Sequence, residues 1–151
     1  MIVLAIDWSG AKRPTRKIWL AEADADGLRR LEPISSREEA IKAVLHYTHV
    51  ESHVVAGFDF SFSLPASFLD SQGVVDAPGL WHLVRDRGEE WLSACDPPFW
   101  GRPGKRCPEP SPRLRSTEEV VGRRAAIKPK STFQVGGAGA VGTGSLRGMP
   151  H

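Results

Sequence analysis

Residues 2–8 (IVLAIDW) and 53–60 (HVVAGFDF) decide how this chain folds. Each stretch contains a short apolar run with an aspartate near its end, which is typical of a buried strand. Asp7 follows five apolar residues in the first run, and Asp59 ends a similar run in the second. If the two strands are parallel neighbours, both carboxylates emerge at the same edge of one sheet, where ligands of open α/β sheets bind.

The residues between these runs predict two further strands and one helix. Residues 17–23 and 28–34 have strand patterns, and the short turn sequences around them make the first three strands antiparallel neighbours. Ser35 or Ser36 can cap a following helix, because glutamates stand three positions later. That helix is a crossover, so the fourth strand is predicted to run parallel to the first. The predicted fold is therefore α/β, with a mixed sheet in β-β-β-α-β order.

Beyond residue 60 the pattern is helical and irregular. Residues 79–94 have an apolar helical face, residues 96–112 form a Pro-rich connection, and residues 116–124 suit a short helix capped by Ser116 or Thr117. No internal repeat is present. A chain of 151 residues with 40% hydrophobic content suits one domain with one core, so we predict a single domain over residues 1–151.

The sequence contains no membrane or export signal. No apolar stretch is long enough for a bilayer, and Met1 runs directly into the first strand pattern. The two cysteines are too few for a disulfide framework. We therefore expect a cytoplasmic protein with no membrane association, and nothing in the sequence calls for an obligate protein partner.

Charge is unevenly distributed along the chain. The net charge is +2, but residues 102–130 contain nine basic and three acidic residues, a local charge of +6. A basic segment of this kind suits a polyanionic partner, with nucleic acid the obvious candidate. The alternative is a solvated, Pro-rich loop.

Residues 133–146 (FQVGGAGAVGTGSL) include glycines at the G-x-G-x-x-G spacing of a dinucleotide site. Such a site needs an acid about 20 residues further on, and too few residues follow for that. We expect instead that the glycines let the backbone approach the acid-bearing edge and offer N–H groups to a phosphate, the alternative being a flexible loop. The predicted phosphate-binding residues are Lys12, Lys130, Ser131, Gly137, Gly139 and Arg147.

Asp7 and Asp59 are the predicted catalytic and metal-binding residues. Two carboxylates close to a core repel one another and are costly to desolvate. A divalent cation, Mg²⁺ or Mn²⁺, relieves both costs, since Mg²⁺ accepts a few carboxylate oxygens together with water and substrate phosphate. The alternative is that each aspartate only caps a turn. His46, His49 and His53 also have a metal-like spacing, but they are more typical of surface histidines.

Four stretches resemble one known family: IDWSGAK (6–12), GFDFSFSLP (57–65), PPFWG (97–101) and PKSTFQVGGAGAVGTGSLRGMP (129–150). They resemble the predicted nucleases catalogued as domain of unknown function 429. The resemblance implies a ribonuclease H-like fold and metal-dependent hydrolysis of phosphodiester bonds, with Asp7 and Asp59 as the acids of the first and fourth strands. It also implies a further strand with another acid beyond the RGMP stretch. We therefore expect this chain to be a fragment, inactive or poorly active as it stands.

Two other functions remain open. Sugar-kinase or actin-like ATPases share the strand order, and IDWSGAK has a loose likeness to their first phosphate loop. A nucleic-acid-binding module without catalysis would use the basic segment alone. Saturable ATP binding would favour the former, and salt-dependent nucleic-acid binding without cleavage the latter. Aromatic residues that could stack on bases are Trp81, Trp91, Phe99 and Trp100.

Overall fold

The computed structural model describes residues 1–151, which divide into two compact units, residues 1–60 with His151 and residues 61–150. The first unit contains β1 (Ile2–Asp7), β2 (Ile18–Asp24), β3 (Gly27–Ile34), α1 (Arg37–Val50) and β4 (Val54–Phe58). The second contains α2 (Ala66–Ser71), α3 (Ala77–Ala94), α4 (Ser116–Ala125) and α5 (Gly142–Gly148). None of the five helices combines the length and the hydropathy that a membrane span requires. The organisation of the chain as a single domain stays a prediction.

The four strands form one mixed sheet in the order β3-β2-β1-β4. β1 pairs antiparallel with β2, β2 pairs antiparallel with β3, and β1 pairs parallel with β4. The predicted α/β class, element order and strand directions are confirmed. The helix α1 makes the crossover that a parallel β4 requires.

The two faces of this sheet differ in exposure because side chains alternate along each strand. One face packs with α1 into an apolar core whose buried strand residues are Leu4, Ile6, Ile18, Leu20 and Ile34. The other face leaves several large apolar side chains exposed, namely Val3, Trp19, Leu31 and Val55. The second face therefore presents an apolar surface to solvent.

The start of α1 is held by the residues that the sequence indicates. The Ser36 hydroxyl accepts a hydrogen bond from the Glu39 amide at 3.2 Å, and the Glu39 carboxylate accepts one from the Ser35 amide at 3.3 Å. These bonds satisfy donors that a helix start leaves unpaired. In the second unit, Asp76 caps α3 in the same way, accepting from the Gly79 amide at 2.8 Å.

The second unit has its own core and no sheet of its own. The apolar side of α3 contributes Leu80, Val84, Trp91 and Leu92. It packs with side chains from the irregular segments and α5, which are Leu64, Cys95, Phe99, Phe133, Val135, Leu146 and Met149. Helix α4 begins at Ser116 with Arg115 at the capping position, so neither Ser116 nor Thr117 is its cap as predicted.

We predict that Leu20→Ala and Leu31→Ala have very different effects, although both residues lie on strands of the same sheet. Leu20 is fully buried, so its truncation should lower the free energy of unfolding by about 2–5 kcal/mol. Leu31 is 59% exposed, so its truncation should cost about 1 kcal/mol or less. Urea denaturation followed by circular dichroism measures both. Equal losses would contradict the register of the sheet.

Candidate functional site

Asp7 and Asp59 lie side by side at the carboxyl ends of β1 and β4. Ile6 is paired with Phe58 in the parallel ladder, and the Asp59 amide donates to the Ile6 carbonyl at 3.4 Å. The Trp8 amide in turn donates to Asp59 Oδ1 at 2.6 Å. The strand ends therefore bring both aspartates to one edge of the sheet, and a backbone donor fixes the orientation of Asp59.

The electrostatics at this edge disfavour a second negative charge. Partial burial raises the pKa of Asp59 above its ordinary value, the Trp8 amide opposes that rise, and the nearby Asp7 carboxylate adds to it. Neither carboxylate lies in an ion pair with a basic side chain. The pair thus concentrates negative charge that no lysine or arginine compensates.

The two aspartates border a shallow groove of about 480 Å³ on the exposed face of the sheet. Trp19 on β2 lies directly opposite Asp7 in the antiparallel ladder and is 41% exposed. Most of the other lining residues are small or apolar, including Ala5, Ala21, Leu31 and Gly57. The groove therefore joins an acidic end to an apolar wall. Sequence reasoning missed Trp19, although pairing the first two strands across their turn would place it beside Asp7.

The loop after β1 is held by a buried arginine. Arg37, in the first turn of α1, donates hydrogen bonds to the carbonyls of Ser9 at 2.8 Å and Ala11 at 2.5 Å. Its guanidinium also lies 5.9 Å from the Trp8 ring centroid. Trp8 itself packs against Phe60 at 5.1 Å between ring centroids. Arg37 thus positions the loop whose Trp8 amide holds Asp59.

The first unit can offer a metal ion two carboxylates. No cluster of three or more histidine, cysteine or acidic side chains suited to a metal is present in residues 1–151. His46, His49 and His53, which the sequence indicated as surface histidines, are all exposed. Mg²⁺ is commonly held by one or two carboxylates, with water and substrate phosphate completing its shell. The uncompensated pair at Asp7 and Asp59 fits that mode of binding, and it does not fit a closed structural site.

The predicted phosphate-binding residues fall in both units. Lys12 is exposed in the loop after β1, and the others belong to the second unit. There, Lys130 and Ser131 line one pocket, and the Lys130 side chain passes beside Gly139, where an added Cβ would lie 3.2 Å from its Cε. Arg147 is engaged with Glu89, its Nε lying 2.6 Å from the carboxylate. A phosphate at Arg147 would have to compete with that ion pair.

The glycine run serves close backbone packing in the second unit. Trp100 and Gln134 form an isolated parallel bridge, with the Val135 amide donating to the Trp100 carbonyl at 2.8 Å. A Cβ added at Gly136 would lie 2.5 Å from the Gly101 carbonyl oxygen. Only glycine permits this approach. Gly137 has a φ of +80°, which also favours glycine. The approach of the run to the acid-bearing edge stays a prediction.

Comparisons of this chain with protein-family models, with curated proteins and with solved structures found no match. The function is therefore inferred from the geometry of the two aspartates and from the chemistry of the side chains around them.

We predict that Asp59→Asn stabilises the protein increasingly as pH rises. The raised pKa means that the folded state binds the Asp59 proton more tightly than the unfolded chain does. Ionisation of Asp59 therefore lowers the stability of the wild type, and this loss grows from about pH 4 upward, through the raised pKa. Asparagine does not ionise, so the variant avoids the loss, and its side-chain oxygen can still accept the hydrogen bond from the Trp8 amide. The gain should stay below about 1 kcal/mol, since Asp59 is largely exposed and screened.

Urea denaturation of the wild type and the variant at about pH 4 and about pH 7 measures this difference. Asp86→Asn is the matched control, because Asp86 is an exposed acid on α3 with no ion pair in the chain. A variant that loses stability relative to wild type as pH rises would show that the Asp59 carboxylate is favoured in the folded state, contrary to this account.

Proposed function

We propose that this chain is a metal-dependent nuclease that acts on phosphodiester bonds of nucleic acid, with Asp7 and Asp59 as the residues that hold the metal. The observation that carries the proposal is the side-by-side placement of two carboxylates at the ends of parallel strands, without a basic partner. Mg²⁺ or Mn²⁺ is the class of ion that such oxygen ligands select.

The chemistry at this edge would be hydrolysis. A bound divalent cation supplies an activated water and charge stabilisation on the phosphate. The chain's own residues orient the site: the Trp8 amide holds Asp59, and Arg37 holds the loop that carries Trp8. Trp19 offers an exposed aromatic face beside Asp7, which suits stacking with a base of the substrate.

The strand order supports the finer proposal that the fold is ribonuclease H-like and that the chain is related to domain of unknown function 429. A mixed sheet with its first three strands antiparallel and its fourth parallel to the first is the arrangement that the resemblance implies. The stretches that carry that resemblance supply Asp7 and Asp59 at matching strand ends. Nucleic acid is the proposed partner, consistent with the charge of +6 in residues 102–130.

A second candidate function is nucleic-acid binding without catalysis. It is favoured by the presence of only two carboxylates at the sheet edge, because two-metal hydrolysis usually draws on more. Most basic side chains of residues 102–130 are exposed, so they can meet a phosphate backbone. A protein with this function would bind nucleic acid in a salt-dependent way and would show no metal-dependent cleavage.

We predict that Mg²⁺ and Mn²⁺ raise the melting temperature of the wild type in a concentration-dependent way. A ligand that binds only the folded state stabilises it by mass action. Asp7→Asn and Asp59→Asn should each abolish the shift, and Asp86→Asn should retain it. Differential scanning fluorimetry at millimolar metal, with Ca²⁺ and Na⁺ for comparison, measures the effect. A shift that survives in both site variants would place the metal elsewhere.

We predict slow cleavage of nucleic acid that requires Mg²⁺ or Mn²⁺, because two carboxylates hold an ion weakly. Asp7→Asn should lower the rate at least tenfold, and Asp86→Asn should leave it unchanged. End-labelled single- and double-stranded DNA and RNA resolved on denaturing gels give the rates. Metal-dependent cleavage that persists in Asp7→Asn would contradict the assignment, and binding without cleavage would favour the second candidate.

A further inference from the structure

The second unit contains a cavity of about 280 Å³ that combines an aromatic wall with basic and polar side chains. Its lining includes Trp100, Ser111, Lys128, Lys130, Ser131 and Gln134. A pocket with an apolar wall and a few convergent polar groups is the usual form of a small-molecule site. This cavity lies apart in sequence from Asp7 and Asp59, and the metal chemistry proposed above does not use it.

The basic groups of the cavity are available to an anion. Lys128 and Lys130 are both exposed, and neither forms an ion pair within the chain. The Ser131 oxygen accepts a hydrogen bond from the Phe133 amide at 3.2 Å, which leaves its O–H to donate. Lys128, Lys130 and Ser131 all line the cavity, and their side chains are donors of the kind that a phosphate needs.

The aromatic wall is held rigidly. The Trp100 amide donates to the Phe133 carbonyl at 3.0 Å, and its carbonyl accepts from the Val135 amide. Next to the Trp100–Gln134 bridge, the backbones of Gly101 and Gly136 are in close contact, which also restricts the position of Trp100. The indole N–H of Trp100 is buried and has no acceptor. The Trp100 ring, which is only partly exposed, is therefore fixed as one wall of the cavity.

The lysine side of the cavity is also ordered by its neighbours. Pro129 stands between the two lysines and restricts the backbone there. The Lys130 stem runs beside Gly139, so a larger residue at position 139 would displace it. The positive φ of Gly139, +71°, likewise favours glycine. Gly139 therefore leaves the space that the Lys130 side chain occupies.

We propose that this cavity binds one unpaired nucleotide of a single-stranded nucleic acid, with the base against Trp100 and the phosphate at Lys128, Lys130 and Ser131. Aromatic stacking combined with a basic rim is the general means by which proteins hold single strands. A volume of about 280 Å³ admits a nucleotide and not a duplex, whose bases are stacked and paired away from such a cavity. The choice of nucleic acid as the polyanion rests on the proposed function.

The test is fluorescence anisotropy with labelled twelve-nucleotide single strands of DNA and RNA, and with the corresponding duplex, in EDTA. The protein should bind single strands at least tenfold more tightly than the duplex. The double variant Lys128→Ala/Lys130→Ala should weaken single-strand binding at least tenfold. It should also reduce the slope of log affinity against log salt concentration by about 1–2, because each phosphate contact contributes about 0.7 to that slope. Lys17→Ala/Lys42→Ala is the matched control, since both lysines are exposed and lie outside the cavity and outside residues 102–130.

Competition arms identify which part of the ligand is bound. A nucleoside monophosphate should displace the labelled strand, whereas inorganic phosphate at the same concentration should not. Trp100→Phe keeps an aromatic ring but reduces the surface available for stacking, and it should weaken binding severalfold. Equal losses in Lys17→Ala/Lys42→Ala and Lys128→Ala/Lys130→Ala, or equal affinity for duplex, would overturn the inference in favour of diffuse charge attraction.

The result is distinguishable from a failure of the nuclease proposal. Asp7→Asn should bind single strands in EDTA at least as tightly as the wild type, because the cavity does not use that carboxylate and the substitution removes a negative charge. If Asp7→Asn loses metal-dependent cleavage while the lysine variant binds normally, the nuclease proposal stands and the cavity assignment is wrong. If the lysine variant loses binding and no metal-dependent cleavage exists, the cavity stands without the nuclease.

Discussion

The pairing of β1 with β4 forces two carboxylates to the same edge of the sheet, and the account of this protein depends on that contact. Ile6 and Phe58 are partners in the ladder, so Asp7 and Asp59 follow side by side. The apolar residues on the buried faces of these strands hold that register, since a slip of one residue would expose them. The core therefore stabilises an arrangement that the carboxylates themselves disfavour, as the raised pKa of Asp59 indicates. Unfavourable electrostatics kept in place by packing are common at functional sites.

The second unit reaches its form by a different physical route. It has no sheet, and its irregular segments are joined where two backbones come together without side chains between them, at Gly101 and Gly136. That contact, with the Trp100–Gln134 bridge beside it, fixes an indole in the wall of a cavity that Lys128 and Lys130 also line. The glycine run thus acts through close packing and through the space it leaves for Lys130. A dinucleotide cradle would need a longer helix than the seven residues of α5.

Sequence reasoning predicted the first unit well because its signals are local. Apolar runs, turn residues and the Ser36 cap each specify structure within a few positions, and the crossover rule then determines the direction of β4. The second unit was less predictable because its contacts join distant residues. The partner of Arg147 is Glu89, and the partner of Gly136 is Gly101, and no periodic pattern connects either pair. The cap of α4 was also predicted wrongly, although the helix begins at Ser116 as predicted. Ser116 and Thr117 lie inside the helix, and Arg115 is the capping residue, its amide donating to the Glu118 carboxylate at 2.7 Å.

The central proposal is that Asp7 and Asp59 together hold a divalent cation. Anomalous diffraction from crystals soaked in Mn²⁺ tests it most directly, because manganese can be located without reference to activity. The account predicts one strong anomalous peak about 2.0–2.3 Å from an oxygen of each carboxylate, with solvent completing its shell. Crystals in which manganese is absent from that edge, or in which the two carboxyl groups point away from each other, would contradict it.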